Sequence, residues 1–375
     1  MLALVLNAGS SSLKFQIIDT DSRECRFKGQ VERIGIDVLT HSDAVTHMNL
    51  QIANAKIELG EIQVVGHRVV HGGNLFKQST LLNAEVVESI EKLIPLAPLH
   101  NPAHLIVIKE LMEQLPDVPH VAVFDTAFHS TMPEAAFTYA LDQEVAEKFE
   151  IRRYGFHGSS HKYVMNESAK FLDKPVSDTS LIICHIGNGA SITAIRDGKS
   201  VDTSMGMTPL EGLVMGTRTG DIDAGILFHL AREANYSITQ LDQLVNKESG
   251  LLGLAGSADM RQVRESADAG SKGAQLAREI YAYRIRKYIG AYLTLLPHLD
   301  AVVFTAGVGE NDAQLRDAVI APLKHLGLLL DANRNSASAD QAREVSAAET
   351  RIKVLVVPTN EELEIALESV QLIGG

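Results

Sequence analysis

Apolar residues recur in this chain with two rhythms. Short unbroken runs, Gln63–Val65, His120–Phe124, Ala301–Thr305 and Lys353–Val357, read as buried strands. Other stretches repeat at helical spacing. Val86, Ile90, Leu93 and Ile94 share a face of a helix predicted over Ala84–Ile94. Pro102 suits a helix start and is followed by Leu105, Ile108, Met112 and Leu115. Ala277, Ile280, Tyr281, Tyr288 and Tyr292 line a helix over Ala274–Leu296, which Pro297 ends. Leu363, Ala366, Leu367 and Val370 line a terminal one over Glu361–Leu372. Strands and helices interleave, so the fold class is α/β. The polar stretch Leu330–Arg351 reads as a surface excursion.

A looser pattern occurs twice. Leu2–Asp19 and Leu181–Gly198 each run as an apolar segment, a small-residue turn and a second apolar segment. Each reads as a β-hairpin. Two hairpins, one opening the chain and one near its middle, suggest two domains built on the same plan.

Composition narrows the partners. Among 375 residues, 34 Lys+Arg face 47 Asp+Glu, a net charge of −13 with no basic run, which argues against nucleic acid or an anionic membrane as partner. No apolar run approaches the ~18 residues of a membrane span, and no basic flank precedes the N-terminal apolar stretch, so neither an anchor nor a signal peptide is expected. Two cysteines, Cys25 and Cys184, fit packed thiols in a reducing cytoplasm rather than a disulfide framework.

Three glycine turns follow apolar strands: Asn7 to Lys14, with Gly9, Ser10, Ser11 and Ser12; Gly187-Asn188-Gly189-Ala190-Ser191; and Thr305–Asn311, with Gly307 and Gly309. Such turns let backbone and hydroxyl groups approach a phosphate, and each alone is equally a plain turn. The P-loop, G-x-G-x-x-G and G-x-S-x-G motifs are absent. Three histidine pairs have i, i+4 spacing: His67/His71, His100/His104 and His157/His161. The first reads extended, about 13 Å apart, and Pro102 interrupts the second, so zinc is not indicated. Arg68 follows an apolar strand, and Arg68 and Arg218 are flanked by glycines in predicted loops, where a guanidinium grips an anion. Asp125 ends the strand His120–Phe124, a usual place for a functional carboxylate or for a turn former.

Together these blocks resemble the acetate kinase family over the whole chain. NAGSSSLKF (Asn7–Phe15), GHRVVHGG (Gly66–Gly73), APLHNP (Ala97–Pro102), FDTAFH (Phe124–His129), YGFHGSSH (Tyr154–His161), HIGNGAS (His185–Ser191), GLVMGTRTGDID (Gly212–Asp223), TAGVGEN (Thr305–Asn311) and PTNEE (Pro358–Glu362) occur in the family's order. Ser159 stands where the family commonly has Thr, Ala224 where it often has Pro, and the chain is shorter within Gly35–Glu61.

The resemblance implies duplicated actin-like, ribonuclease H-like domains with ATP held in a cleft. The expected lobes are 1–127 with 363–375, and 128–362. It implies reversible phosphoryl transfer from ATP to acetate, giving ADP and acetyl phosphate, with Mg²⁺ or Mn²⁺. Asn7 and Glu361 correspond to the metal site. Lys14, Ser10, Ser12, His185, Ile186, Gly187, Asn188, Gly189, Asp259, Met260, Arg261, Gly307, Val308, Gly309, Glu310 and Asn311 correspond to the nucleotide site. Arg68 corresponds to the carboxylate's partner, and Val70, Leu99, Phe156 and Pro209 to the pocket for its methyl group. Asp125, His157 and Arg218 correspond to catalytic positions. A homodimer through the second domain is implied, with the Tyr281–Tyr292 helix as contributor or as core. Propionate is the rival acceptor, since one methylene discriminates by only about 1–3 kcal/mol. A non-catalytic actin-like switch is the rival class, disfavoured because a switch has no need of a carboxylate site.

Overall fold

The computed structural model describes residues 1–98 and 100–374. The chain divides into two compact units. The first comprises Met1–Ser130, Phe156–Tyr163 and Asn360–Gly375; the second comprises Thr131–Gly155 and Val164–Thr359.

In the first unit, β1 (Leu2–Ala8), β2 (Ser12–Asp19) and β3 (Glu24–Glu32) form an antiparallel meander. β4 (Val64–Val69) and β6 (His120–Phe124) lie parallel to β1, and β5 (Thr80–Leu81) closes the edge antiparallel to β6. The alternation in β1 shows why the sheet is covered on both faces. Leu4 and Leu6 join Phe15, Val45, Met48 and Leu111 under the helices His41–Asn54 and Asn101–Gln114. Ala3 and Val5 join Val64, Val121, Leu363, Ile365 and Ala366 under the helix Glu361–Gly374. Successive side chains of a strand point to opposite faces, so a strand apolar at every position needs a layer on each side. Gly66 permits the close approach of that last helix, because a Cβ there would press on Ile365 and Ser369.

In the second unit, β7 (Leu181–Ile186), β8 (Ala190–Arg196) and β9 (Lys199–Thr203) form the meander. β10 (Ala301–Thr305) is parallel to β7, β11 (Arg343–Glu344) is an antiparallel edge, and β12 (Lys353–Val356) lies between β10 and β11. Read outward from the meander, the orders β3-β2-β1-β4-β6-β5 and β9-β8-β7-β10-β12-β11 carry the same pairing senses at every step. The two hairpins expected from sequence are the first two strands of each sheet, and the fold class is α/β with two sheets of one topology.

Several expectations need correction. β4 runs through Val69, well beyond Val65, so Arg68 lies on a strand rather than in a loop. In the helix Ala84–Lys92, Val87 and Ile90 are buried, with Val86 and Ile94 at the edge of the cluster. The long tyrosine helix is Lys272–Leu293 and ends before Pro297; Tyr281 and Tyr292 are core. Leu330–Arg351 is not a mere excursion: β11 joins the sheet, and Asn335, Val345 and Ser346 are buried. Cys184 is packed, but Cys25 is exposed.

Candidate active site

In the first unit the carboxyl ends of β1, β4 and β6 place Asn7, Arg68 and Asp125 side by side. Arg68 donates from Nε to Asp125 Oδ1 at 2.9 Å and from Nη2 to Oδ2 at 2.6 Å. Its Nη1 donates to Asn7 Oδ1 at 2.9 Å. Burial alone would depress the Arg68 guanidinium, but Asp125, Glu361 and Glu362 outweigh it and raise its pKa above the ordinary value. Three of its five donor hydrogens are thereby used, leaving two for a ligand. Lys14 lies directly across the β1–β2 pair from Asn7, with its side chain exposed. Ser10 and Ser12 belong to the same turn, which Gly9 N closes onto Ser12 O at 2.7 Å.

Glu361 begins the helix Glu361–Gly374. Its carboxyl is pushed up to about 7, chiefly by burial and further by the charges of Asp125 and Glu362, against the pull of Arg68 and Lys14. His157 adopts a positive φ of 58°, a conformation that costs a non-glycine residue of order 1–3 kcal/mol and is held only by its surroundings. What holds it is the next residue: Gly158 N–H donates to the Asp125 carbonyl at 2.9 Å. A Cβ at Gly158 would overlap that oxygen, so only glycine allows the contact. Val70 and Phe156 are buried, and the His71 ring stands edge-on to Phe156 at 5.6 Å. Leu99 lies outside the described residues. His67, His120 and His129 serve the core. His67 Nε2 meets His120 Nδ1 at 3.0 Å, and His129 Nε2 meets the Phe156 carbonyl at 2.9 Å. Burial holds His67 well below its usual range and His129 at about 4.

In the second unit a cavity of about 730 Å³ is lined by Gly187, Asn188, Asp259, Met260, Arg261, Gly307, Val308 and Asn311 from the expected nucleotide set. Asp259 caps the helix Met260–Asp268 by accepting from Arg261 N, and the exposed Arg261 guanidinium folds back on it, Nη2 to Oδ2 at 2.6 Å. That bond, above all, holds the Asp259 carboxyl below its usual range. The third glycine turn is itself the helix Ala306–Asn311, entered through a left-handed Ala306 with φ of 63°. His185, Ile186 and Gly189 sit beside the cavity in β7 and its turn without lining it. Gly309 packs against Ile186, and Glu310 Oε1 accepts from Thr359 N at 3.1 Å. Arg218 donates to the Pro209 carbonyl at 3.0 Å, has no carboxylate partner among the described residues, and is depressed by burial.

The geometry has counterparts in known proteins. The chain matches the Acetokinase family over residues 2–367. An acetate kinase of Streptomyces avermitilis is 49% identical, covering 99% of this chain and 97% of its own. The crystal structure of Porphyromonas gingivalis acetate kinase superposes with a TM-score of 0.95 at 39% identity, and that of a propionate kinase from Francisella tularensis with 0.94 at 41%, each over 99% of both chains.

The chain belongs to the acetokinase family.

It is a phosphotransferase with a carboxyl group as acceptor, and it has the fold of its acetokinase relatives. Within that frame, sequence reasoning missed Leu251, Ala258, Arg264, Tyr281 and Asp312 in the cavity wall. Arg264 and Asp312 carried a signal, being one turn beyond Arg261 and next to Asn311. Tyr281 did not: it was legible as core, and its hydroxyl reaches the Gly187 carbonyl only at 3.5 Å.

Proposed function

We propose that the protein transfers the terminal phosphoryl group of ATP reversibly to acetate, yielding ADP and acetyl phosphate. A carboxylate oxygen forms the new bond to phosphorus as the bond to the ADP oxygen breaks. The observation that carries this reading is the Asn7–Arg68–Asp125 cluster at three strand ends, in a member of a carboxyl-accepting kinase family. A carboxylate acceptor with a pKa near 4.3 is already ionised at neutral pH, so no general base is required. What the reaction needs is charge neutralisation and positioning, because two unit charges ~4 Å apart repel by about 4 kcal/mol at an effective dielectric of 20.

Each side chain has a role on this reading. Arg68 binds the carboxylate with its two remaining N–H groups, while Asp125 fixes the plane of the guanidinium. By the family resemblance, the methyl group falls to Val70, Leu99, Phe156 and Pro209. Arg218, unneutralised by any acid among the described residues, and His157, with its left-handed backbone, stabilise charge on the moving phosphoryl group. The 730 Å³ cavity takes the nucleotide, with Asp259 and Arg261 at its lip.

Asn7 and Glu361 are the residues that would hold a magnesium ion. The fit rests on Glu361, a carboxyl whose charge is disfavoured by burial and by Asp125 and Glu362, so that a divalent cation supplies the missing countercharge. When bound, a magnesium ion held by Asn7 and Glu361 would supply positive charge against the negative charge of the phosphates during transfer. No group of three or more His, Cys, Asp or Glu side chains is arranged as a ready-made cage among the described residues.

The test is acyl hydroxamate formation with ATP, Mg²⁺, acetate and hydroxylamine. Absence of hydroxamate with any short-chain acid would return the reading to a nucleotide switch. Val70, at the position the family resemblance assigns to the methyl pocket, favours acetate over propionate; a higher kcat/KM for propionate would reverse that choice. The reading extends to a cytoplasmic homodimer. Unpaired Cys25 and Cys184 suit a reducing compartment, and no helix among the described residues is long and apolar enough to cross a membrane.

A further inference from the structure

The second unit holds a smaller cavity of about 200 Å³ that adjoins the expected nucleotide residues Glu310 and Asn311 but is otherwise lined by residues given no role above. Arg316 and Arg343 line it together with Ser336, Ser338, Glu310 and Asn311. It shares Asn311 with the larger cavity, so the two meet at the C-terminal end of the Ala306–Asn311 helix.

Its two guanidiniums are in an unusual state. Arg316 is 1% exposed and spends its donors on neutral acceptors only: Asn335 Oδ1 and O, and the carbonyls of Gly309 and Glu310. Arg343 has its Nε and Nη1 atoms sealed from solvent with no hydrogen-bond partner. Neither forms an ion pair among the described residues. Arg316 is lowered to about 10, first by burial and then by the charge of Arg343, with only Asp312 opposing. Burial lowers Arg343 too, with no acid to offset it. The two carboxylates in the wall do not relieve this. Glu310 is turned to Thr359 N and Thr305 Oγ1, and Asp340 is exposed and pairs with neither arginine.

A buried guanidinium without partners costs free energy that a natural sequence rarely leaves uncompensated. The chemistry that satisfies paired Arg N–H groups and nearby serine hydroxyls is a small tetrahedral oxyanion, which accepts from several donors at once. The volume is far above the ~15 Å³ a single water needs and well short of the 730 Å³ cavity beside it. We propose that this pocket is a separate binding site for a free inorganic oxyanion of the phosphate class, gripped by Arg343, with Arg316 adding its charge and the one Nη2 hydrogen that its four bonds leave unused. The inference stands on these residues and not on the nucleotide reading.

Equilibrium dialysis of the full chain against radiolabelled inorganic phosphate tests it, with and without saturating ADP. The expected result is one phosphate bound per chain, undisturbed by ADP, and weakened roughly tenfold or more in Arg343→Met. Sulfate competes, and a sugar phosphate does not. In phosphate-free buffer Arg343→Met has a thermal midpoint at or above that of the native chain, because the sealed and unpartnered Nε and Nη1 donors of a half-buried guanidinium are removed, and it loses the rise that phosphate gives the native chain. Arg343→Lys restores part of the affinity. Absence of saturable binding, displacement by ADP, or unchanged binding in Arg343→Met overturns the proposal. Displacement by the sugar phosphate but not by sulfate overturns its assignment to a free oxyanion.

Discussion

Arg68 grips Asp125 through two parallel hydrogen bonds, 2.9 Å from Nε to Oδ1 and 2.6 Å from Nη2 to Oδ2. The pair sets the plane of a guanidinium that keeps two donors free. Asp125→Asn removes one acceptor and the countercharge while keeping the shape. We expect kcat/KM for acetate to fall about 100-fold, the scale of one misplaced electrostatic group, with the pH–rate profile around neutrality unchanged in shape. Steady-state kinetics over a pH series with Mg²⁺ titration check this. Near-normal turnover with intact Mg²⁺ affinity would remove Asp125 from both positioning and proton transfer.

Glu361 gives a pH dependence whose sign can be worked out. Its folded pKa, about 7, lies above the ordinary value of 4.5. Below the ordinary value both folded and unfolded forms are protonated and nothing is lost. As pH rises through the folded value, the native chain must ionise a carboxyl in an unfavourable place, and stability falls. Glu361→Gln escapes that fall. In metal-free buffer near pH 8 the variant is expected to be the more stable, by no more than about 3 kcal/mol because Glu361 keeps some exposure. The gap closes below about pH 4.5. Urea unfolding of both proteins at several pH values measures it, and added Mg²⁺ should raise only the native midpoint. Parallel pH curves for the two proteins would contradict the assignment.

How much of this was legible beforehand depends on the range of the interaction. β6 and β10 were readable to the residue because an apolar run bounded by polar neighbours is a local signal. β4 was underestimated because its last residues, Gly66-His67-Arg68, look like a loop. They are strand because β1 and β6 pair with them on either side, which no local pattern records. The same holds at the site. Asp125 and Arg68 could be singled out one at a time, but their bond joins residues 57 apart. The family's ordered blocks named the residues without their geometry. The Arg316–Arg343 pocket left no trace in the sequence, since Arg343 sits in a stretch that reads as polar surface.

Gly158 and Gly290 make a paired test of local strain. A Cβ at Gly158 would run into the Asp125 carbonyl, whereas nothing lies within 4 Å of one at Gly290 in the Lys272–Leu293 helix. Gly158→Ala should therefore break the N–H bond to Asp125, release His157 from its left-handed backbone and lower stability by about 1–3 kcal/mol. Activity should fall with it. Gly290→Ala should leave activity alone and stabilise by up to about 1 kcal/mol through helix propensity. Thermal unfolding and turnover of both variants decide. A harmless Gly158→Ala would mean that the approach of Gly158 to Asp125 does not hold the His157 backbone.

The helix Gly225–Glu233 has no buried residue, and its neighbour Ile238–Lys247 buries only Val245. Phe228 is 62% exposed, Ile226 45% and Ile238 87%. Large apolar side chains left exposed on two touching helices suit an interface, and these helices belong to the second unit, through which the family resemblance implies dimerisation. A carboxylate placed there would be desolvated without a partner on association, a cost of several kcal/mol. Light scattering should give twice the 40.7 kDa chain mass for the native protein and a monomer for Phe228→Asp. The variant's unfolding midpoint should also lose its dependence on protein concentration. A native monomer, or a variant that still pairs at the same concentration, would place these side chains outside any dimer contact.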